Sequence, residues 1–142
     1  MILADRHHRI ELRPLRYQFA RTSGNRYDDN WLVVHGEVRT PSGSWAFADA
    51  CMLVGEAQEV SPWLRGGVGV TPQELRFLEP VLSFVRDDAC RVGVAFSQEA
   101  APPWREGTQR LDEFLVELDI ESVALELAAQ EWERQITEFP VR

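Results

Sequence analysis

A tight turn between two strand-like segments constrains the fold of this chain more than any other sequence feature. Residues 31–39 are rich in β-branched and aromatic side chains, and residues 44–53 follow with Trp45 and Phe47 on one face. The turn between them, residues 40–43, has Pro41 and Gly43 where a turn of this length favours them. So short a connection joins antiparallel neighbours, because a parallel crossover needs about a dozen residues or more.

Apolar patterns elsewhere predict further strands. Residues 10–19 have the alternation of an edge strand, with a bulge at Arg13-Pro14, where the parity of the apolar positions changes and proline lacks a donor. Residues 22–30 and 100–108 have the composition of loops. Later strands are predicted at residues 75–78, 81–86, 90–98 and 111–118.

Two segments have helical spacing. The first carries apolar residues at Leu53, Ala57, Val60 and Leu64, and Pro62 is expected to kink or end it. The second is predicted to begin at a cap on Asp119, with Glu121 in its first turn. Its apolar stripe, expected to pack mostly on a sheet, comprises Ile120, Val123, Leu127, Trp132, Ile136 and Phe139.

These elements together predict an α+β fold. The expected architecture is a curved antiparallel sheet of about six strands, with a short middle helix and a C-terminal helix packed on one face. The chain of 142 residues is expected to form a single domain, residues 1–142.

The charge balance limits the classes of partner. Fifteen basic residues, all of them Arg, oppose 23 acidic ones, for a net charge of −8. Direct binding to a nucleic acid backbone needs clustered positive charge, so nucleic acid is a poor partner. The acidic balance fits simple solubility, which is the simpler explanation, and equally fits a basic protein partner.

The cysteines and the N-terminal residues bear on location. One pair of cysteines, Cys51 and Cys90, is no disulfide scaffold in a chain this long, so both are expected to be buried thiols in a reducing compartment. The N-terminal segment lacks the apolar core of a signal peptide, and no apolar run is long enough to span a bilayer. The expected location is the cytoplasm, without membrane association.

Few residues have the spacing of a catalytic or metal site, and neither cofactor nor metal is predicted. Turn and cap chemistry explains Asp28 and Asp29 better than calcium does. Glu79 and Glu99 are candidates for an acid/base pair, although capping a strand end or accepting a hydrogen bond from Arg is the favoured explanation. Trp104, in a proline-flanked loop, is the tryptophan expected to be exposed, as at many binding hot spots.

Five segments of the chain carry a resemblance to a known family. They are Glu11 to Phe19, Asn30 to Val38, Trp45 to Leu53, Phe77 to Phe84 and Phe96 to Trp104. In combination they resemble the WapI family of bacterial proteins, over about residues 10–140. The resemblance implies an immunity protein, which protects a cell from the toxin domain of a large cell-wall-associated or Rhs-type protein. The namesake toxin of that family attacks tRNA.

Three functions follow as hypotheses. The first is a non-catalytic protein that neutralises a cognate, nuclease-type toxin domain by direct binding. The second is a stand-alone small-ligand or regulatory binding domain, with a pocket lined by Tyr17, Trp31 and Trp45. The third is an enzyme that uses Glu79 and Glu99. The candidate contacts for a protein partner, mostly acidic residues expected to be exposed, are Asp28, Asp29, Asp87, Asp88, Glu79, Glu99 and Trp104.

Overall fold

A computed structural model describes residues 1–66, 73–86 and 91–142, which form two four-stranded antiparallel sheets and two α-helices. Both sheets are meanders, in which the order of the strands in space follows their order in the chain. The first sheet comprises β1 (Ile2–Ala4), β2 (Arg9–Tyr17), β3 (Trp31–Thr40) and β4 (Gly43–Leu53). Helix α1 (Val54–Arg65) follows it. The second sheet comprises β5 (Glu74–Arg76), β6 (Leu82–Arg86), β7 (Arg91–Phe96) and β8 (Phe114–Asp119), and the last element is α2 (Ser122–Ile136).

The predicted α+β class is confirmed, but the strands divide between two sheets where one sheet of about six was expected. The division falls after β4, where α1 separates it from β5. The extra strand β1 has only three residues, too few to show alternation in the sequence. Buried residues from both sheets and both helices form one hydrophobic cluster. No helix in the described ranges is long and apolar enough to cross a membrane.

The predicted hairpin and bulge are both present. Strands β3 and β4 pair from Trp31–Leu53 to Thr40–Gly43. In β2 the register shifts between Pro14 and Arg16, so the bulge is confirmed close to its predicted position.

The edge position predicted for β2 is wrong, because β1 pairs with its first half. Leu12 donates its N–H to the Met1 carbonyl at 3.0 Å. Two residues further along β2, the nitrogen of Pro14 faces the same side as that of Leu12. Strand β1 does not reach this position, so the N–H that proline lacks is not needed for a hydrogen bond between the two strands.

Pro62 does not end α1, so the prediction that the helix could stop there is wrong. The helix continues through Pro62 to Arg65, and the N–H of Gly66 donates to the Pro62 carbonyl at 3.0 Å. Trp63 and Leu64, both at most 3% exposed, anchor the last turn in the core. The Arg86 guanidinium donates to their carbonyls at 3.1 and 2.9 Å. Packing and this cap together outweigh the one hydrogen bond that proline removes.

The predicted cap of α2 on Asp119 is also wrong. Asp119 is the last residue of β8, paired with Arg91. The helix begins at Ser122, and the carbonyl of Glu121 accepts the N–H groups of Ala124 and Leu125 at 2.9 and 3.0 Å. The strand therefore extends further than the sequence indicated, and it moves the start of the helix.

The predicted apolar stripe of α2 is only partly buried. Trp132 and Ile136 are buried, but Val123 and Leu127 are 68% and 61% exposed. The reason is that α2 packs closely on α1. Trp132 Nε1 donates to the Ala57 carbonyl at 2.8 Å, and Ser61 Oγ donates to the Ala129 carbonyl at 2.9 Å. This orientation leaves one apolar face of α2 uncovered.

Candidate functional site

The candidate site lies along β4, the last strand of the first sheet. A short segment after β7 packs against this strand. Trp45 of β4 donates its indole N–H to the Ala100 carbonyl at 2.9 Å, and this hydrogen bond is buried. Gln98 has a φ of 51°, in the left-handed region that non-glycine residues rarely adopt. Arg110 fixes this backbone by donating to the Gln98 carbonyl at 2.5 Å. The segment that carries Glu99 is therefore held firmly against β4.

Three carboxylates converge on the region around Cys51. Cys51 is a buried free thiol, as expected, and burial raises its pKa. The negative charges of Asp49, Glu79 and Glu99 raise it further. Asp49 and Glu79 are half-buried, and Glu99 is exposed. Glu79 and Glu99 thus each act electrostatically on the same thiol, and their use as a catalytic pair stays a prediction.

In the described part of the chain, the charges of this cluster are not neutralised by ion pairs. Among the described residues, no ion pair reaches Asp49, Glu79 or Glu99, whereas many other carboxylates of the chain pair with Arg. The pKa of Asp49 is raised, mainly by burial and also by the charge of Glu99, although a hydrogen bond from the Ala50 backbone opposes the shift. Asp49 and Glu99 therefore influence each other's charge beside β4. The Arg hydrogen bond favoured for Glu79 and Glu99 is not formed in the described part of the chain.

Trp104 is exposed, as predicted, with 43% of its surface accessible. Its ring stands edge-on to Trp45, with the centroids 5.4 Å apart, and edge-on to Phe114 at 6.2 Å. The turn of the β3–β4 hairpin also packs against it, since a Cβ on Gly43 would lie 2.8 Å from the ring. Trp104 is thus a partly exposed aromatic side chain held by packing on several sides.

The other predicted contact residues are placed differently. Asp28 is exposed and accepts a hydrogen bond from Asn25 Nδ2 at 2.9 Å. Asp29 is only 4% exposed, so its predicted exposure is wrong. Its carboxylate accepts the N–H groups of Ser23 and Gly24 at 2.6 and 2.9 Å, and these hydrogen bonds lower its pKa. Asp29 therefore organises its loop, as turn chemistry suggested. Asp87, Asp88 and Cys90 lie outside the described residues.

The pocket predicted between Tyr17, Trp31 and Trp45 does not form. Trp31 and Trp45 occupy opposite ends of the β3–β4 hairpin, because Trp31 pairs with Leu53 while Trp45 pairs with Val38. Seven positions of extended chain correspond to roughly 23 Å. Tyr17 instead donates its hydroxyl to the Pro140 carbonyl at 2.5 Å. Within the described ranges, no cluster of His, Cys, Asp or Glu is arranged to hold a metal ion.

Sequence reasoning missed Asp49, the carboxylate of the cluster that lies on β4 itself. The available signal was one charged residue within the otherwise apolar segment from Trp45 to Leu53. Alternation along the strand does not show which carboxylates of other segments will lie next to it.

Fold and surface together define an α+β protein in which Asp49 on β4, Glu79 and Glu99 form no ion pair in the described part of the chain, an arrangement suited to a basic partner. The chain belongs to the Immunity protein WapI-like family, whose model matches residues 1–140. Membership of an immunity protein family indicates neutralisation of a toxin protein by binding it. Searches of curated proteins and of solved structures gave no match.

Proposed function

We propose that this protein acts in the cytoplasm, where it binds a cognate nuclease-type toxin domain and covers the basic cleft that would hold its nucleic acid substrate. The membership in an immunity protein family supports the binding role. The observation that carries the nuclease proposal is the set of carboxylates Asp49, Glu79 and Glu99, which act electrostatically on Cys51 of β4 and form no ion pair in the described part of the chain. A nuclease cleft presents positive charge to phosphates, and such a cleft matches this cluster.

Electrostatics supports both the affinity and the rate of this encounter. Because burial and Glu99 raise the pKa of Asp49, its ionised form is disfavoured in the free protein. An Arg or Lys of the toxin that approaches the cluster would remove that penalty. The net charge of −8 would in addition speed association with a basic partner, and this effect falls as salt screens it.

Trp104 supplies the apolar part of the proposed interface. An exposed tryptophan that is already fixed by packing loses little side-chain freedom on binding, which favours affinity. Its contacts with Trp45 and Phe114 hold the ring in place before the partner arrives. We therefore expect Trp104 to act as a binding hot spot next to the carboxylates.

The first step is to examine the genes beside the one for this chain for a toxin or Rhs-type gene, and co-expression with the toxin domain of such a gene tests the function. The protein should restore growth of cells that produce the toxin domain. A triple variant with Asp49→Asn, Glu79→Gln and Glu99→Gln should fail to restore growth and should bind the purified toxin domain more slowly and more weakly. The matched control replaces three exposed carboxylates that have no ion pair in the described part of the chain, Glu37, Glu59 and Glu117, with Gln.

The control separates a local interface from a general charge effect, because both triple variants change the net charge by the same amount. Equal loss of rescue in both variants would refute the assigned surface. If the unmodified protein neither binds the toxin domain nor restores growth, the proposed function itself fails. Binding that does not weaken as salt rises would contradict the electrostatic argument.

A further inference from the structure

The connection between β7 and β8 is the longest in the described part of the chain. Strand β7 ends at Phe96 and β8 begins at Phe114, so residues 97–113 join two neighbouring antiparallel strands. About two to five residues are enough to join such strands, and ordered connections as long as this one are uncommon in compact domains and usually functional. We call residues 97–113 the β7–β8 loop.

The β7–β8 loop is held in shape by its own side chains. Both of its arginines donate to carbonyl groups of the loop itself. Arg110 Nη2 donates to the Gln98 carbonyl at 2.5 Å, which ties the end of the loop to its beginning. Arg105 Nη1 donates to the carbonyls of Gln109 and Asp112 at 3.1 and 3.3 Å. The loop therefore loses little conformational freedom when a partner binds it, which favours affinity.

Two large apolar side chains of this loop are exposed to solvent. Trp104 is 43% exposed and Leu111 is 67% exposed. Single exposed apolar residues are common on protein surfaces, but these two stand on a segment whose shape is already fixed. Leu111 follows Arg110 directly, and its N–H donates to the Thr108 carbonyl at 3.0 Å. The loop therefore offers rigidly mounted apolar surface that a partner can cover.

The charges of the loop indicate which partner this apolar surface suits. Three of its carboxylates, Glu99, Glu106 and Asp112, are exposed and form no ion pair in the described part of the chain, whereas Glu113 pairs with Arg76 at 2.9 Å. Because the two arginines of the loop donate to carbonyl groups, these carboxylates are the charged groups that remain to meet a partner. A second copy of a chain with a net charge of −8 is repelled by such a surface, and a basic protein surface is attracted to it.

We propose that the β7–β8 loop makes the specific contact with a basic surface of the toxin domain. Arg or Lys side chains of the toxin domain pair with Glu106 and Asp112, and an apolar part of the same surface covers Trp104 and Leu111. The inference rests on the proposed function and extends its interface from the carboxylates that act on Cys51 to the whole loop. Because these residues are exposed, they can change without disturbing the core, so the choice of toxin can change while the fold stays the same.

The test is the affinity of the full chain for the purified toxin domain of the neighbouring gene, measured by calorimetric titration. The double variant Glu106→Gln/Asp112→Asn should raise the dissociation constant about tenfold. The matched control is Glu37→Gln/Glu59→Gln, which changes the net charge by the same amount at exposed positions on β3 and α1. It should change the dissociation constant by less than about twofold, because salt screens charges that are far from the contact.

A second pair of variants tests the apolar contact. Leu111→Ala should raise the dissociation constant about fivefold. Leu127→Ala, at a position on α2 that is 61% exposed, should leave it unchanged. All the substituted positions are exposed, so every variant should keep the circular dichroism spectrum and thermal midpoint of the parent. Amide exchange of residues 103–112 should also slow when the toxin domain binds the unmodified chain.

Three results would overturn the inference while the proposed function stands. They are a toxin domain that binds Glu106→Gln/Asp112→Asn as tightly as the parent, equal weakening in the two double variants, and unchanged amide exchange across the loop in the complex. Failure of the proposed function looks different, because the unmodified chain would then not bind the toxin domain at all, and the inference would fail with it.

Discussion

Replacing Trp45 with Phe should destabilise the protein and loosen the segment that carries Glu99. The substitution removes the donor to the Ala100 carbonyl, a buried hydrogen bond of 2.9 Å. A buried acceptor left without its donor costs about 1–3 kcal/mol. The smaller ring leaves part of the space between Phe96, Trp104 and Phe114 unfilled, and this adds about 1 kcal/mol. We therefore expect the free energy of unfolding to fall by about 2–4 kcal/mol.

Urea denaturation followed by far-ultraviolet circular dichroism measures this loss without using tryptophan fluorescence, which the substitution itself changes. The slope of free energy against urea should be unchanged, because the substitution alters the folded state and not the surface exposed on unfolding. Trp104→Phe is the matched control. This ring is 43% exposed, so its replacement should cost less than about 1 kcal/mol.

Two results would refute the reasoning. A loss below about 1 kcal/mol for Trp45→Phe would show that the Ala100 carbonyl finds another donor or water. Equal losses for Trp45→Phe and Trp104→Phe would show that the hydrogen bond is not what distinguishes the two rings. At temperatures where Trp45→Phe stays folded, it should also weaken toxin binding, because Glu99 is no longer held beside Asp49.

Three further predictions concern charge and packing. Asp49→Asn should stabilise the protein at pH 7, because the pKa of Asp49 is raised in the folded state. The gain in stability should vanish as the pH falls through that pKa towards the ordinary value of 3.8, and urea denaturation at several pH values measures it. Asp29→Asn should destabilise the protein at pH 7, because the pKa of Asp29 in the folded state lies below 3.8. This loss of stability should shrink as the pH falls below 3.8, and urea denaturation at the same pH values measures it. Gly36→Ala should lower the free energy of unfolding by about 1–3 kcal/mol, since the new Cβ would clash with the Phe47 ring. Gly55→Ala, in α1 with open space around it, should instead raise it by about 0.5–1 kcal/mol, and thermal unfolding measures both changes.

Local features of the fold could be predicted from the sequence because their causes are local. The β3–β4 hairpin follows from the turn at Pro41 and Gly43, and the bulge in β2 follows from the change of parity near Pro14. Trp104 was identified as the exposed tryptophan because prolines flank it. Each of these signals lies within a few residues of the feature that it predicts.

Features that depend on distant contacts could not be predicted in this way. Pro62 remains within α1 because Trp63 and Leu64 are buried and Arg86 caps their carbonyls, and no spacing in the sequence shows these contacts. Asp49 joins Glu99 only after β7 has brought the later segment beside β4. Charge alone gave a list of acidic residues, of which Asp29 proved to be buried.

The meander order of both sheets has a consequence for the route of folding. Each strand pairs with its neighbour in the chain, so the loops that each sheet closes are much shorter than those closed by contacts between the helices, and each sheet can form early. The contacts between α1 and α2 are different, because Ser61 and Ala129 are 68 residues apart and Ala57 and Trp132 are 75 apart. Docking of α2 therefore carries the largest loop-closure entropy and should come after the transition state. Substitutions at this helix contact should accelerate unfolding while leaving the folding rate nearly unchanged.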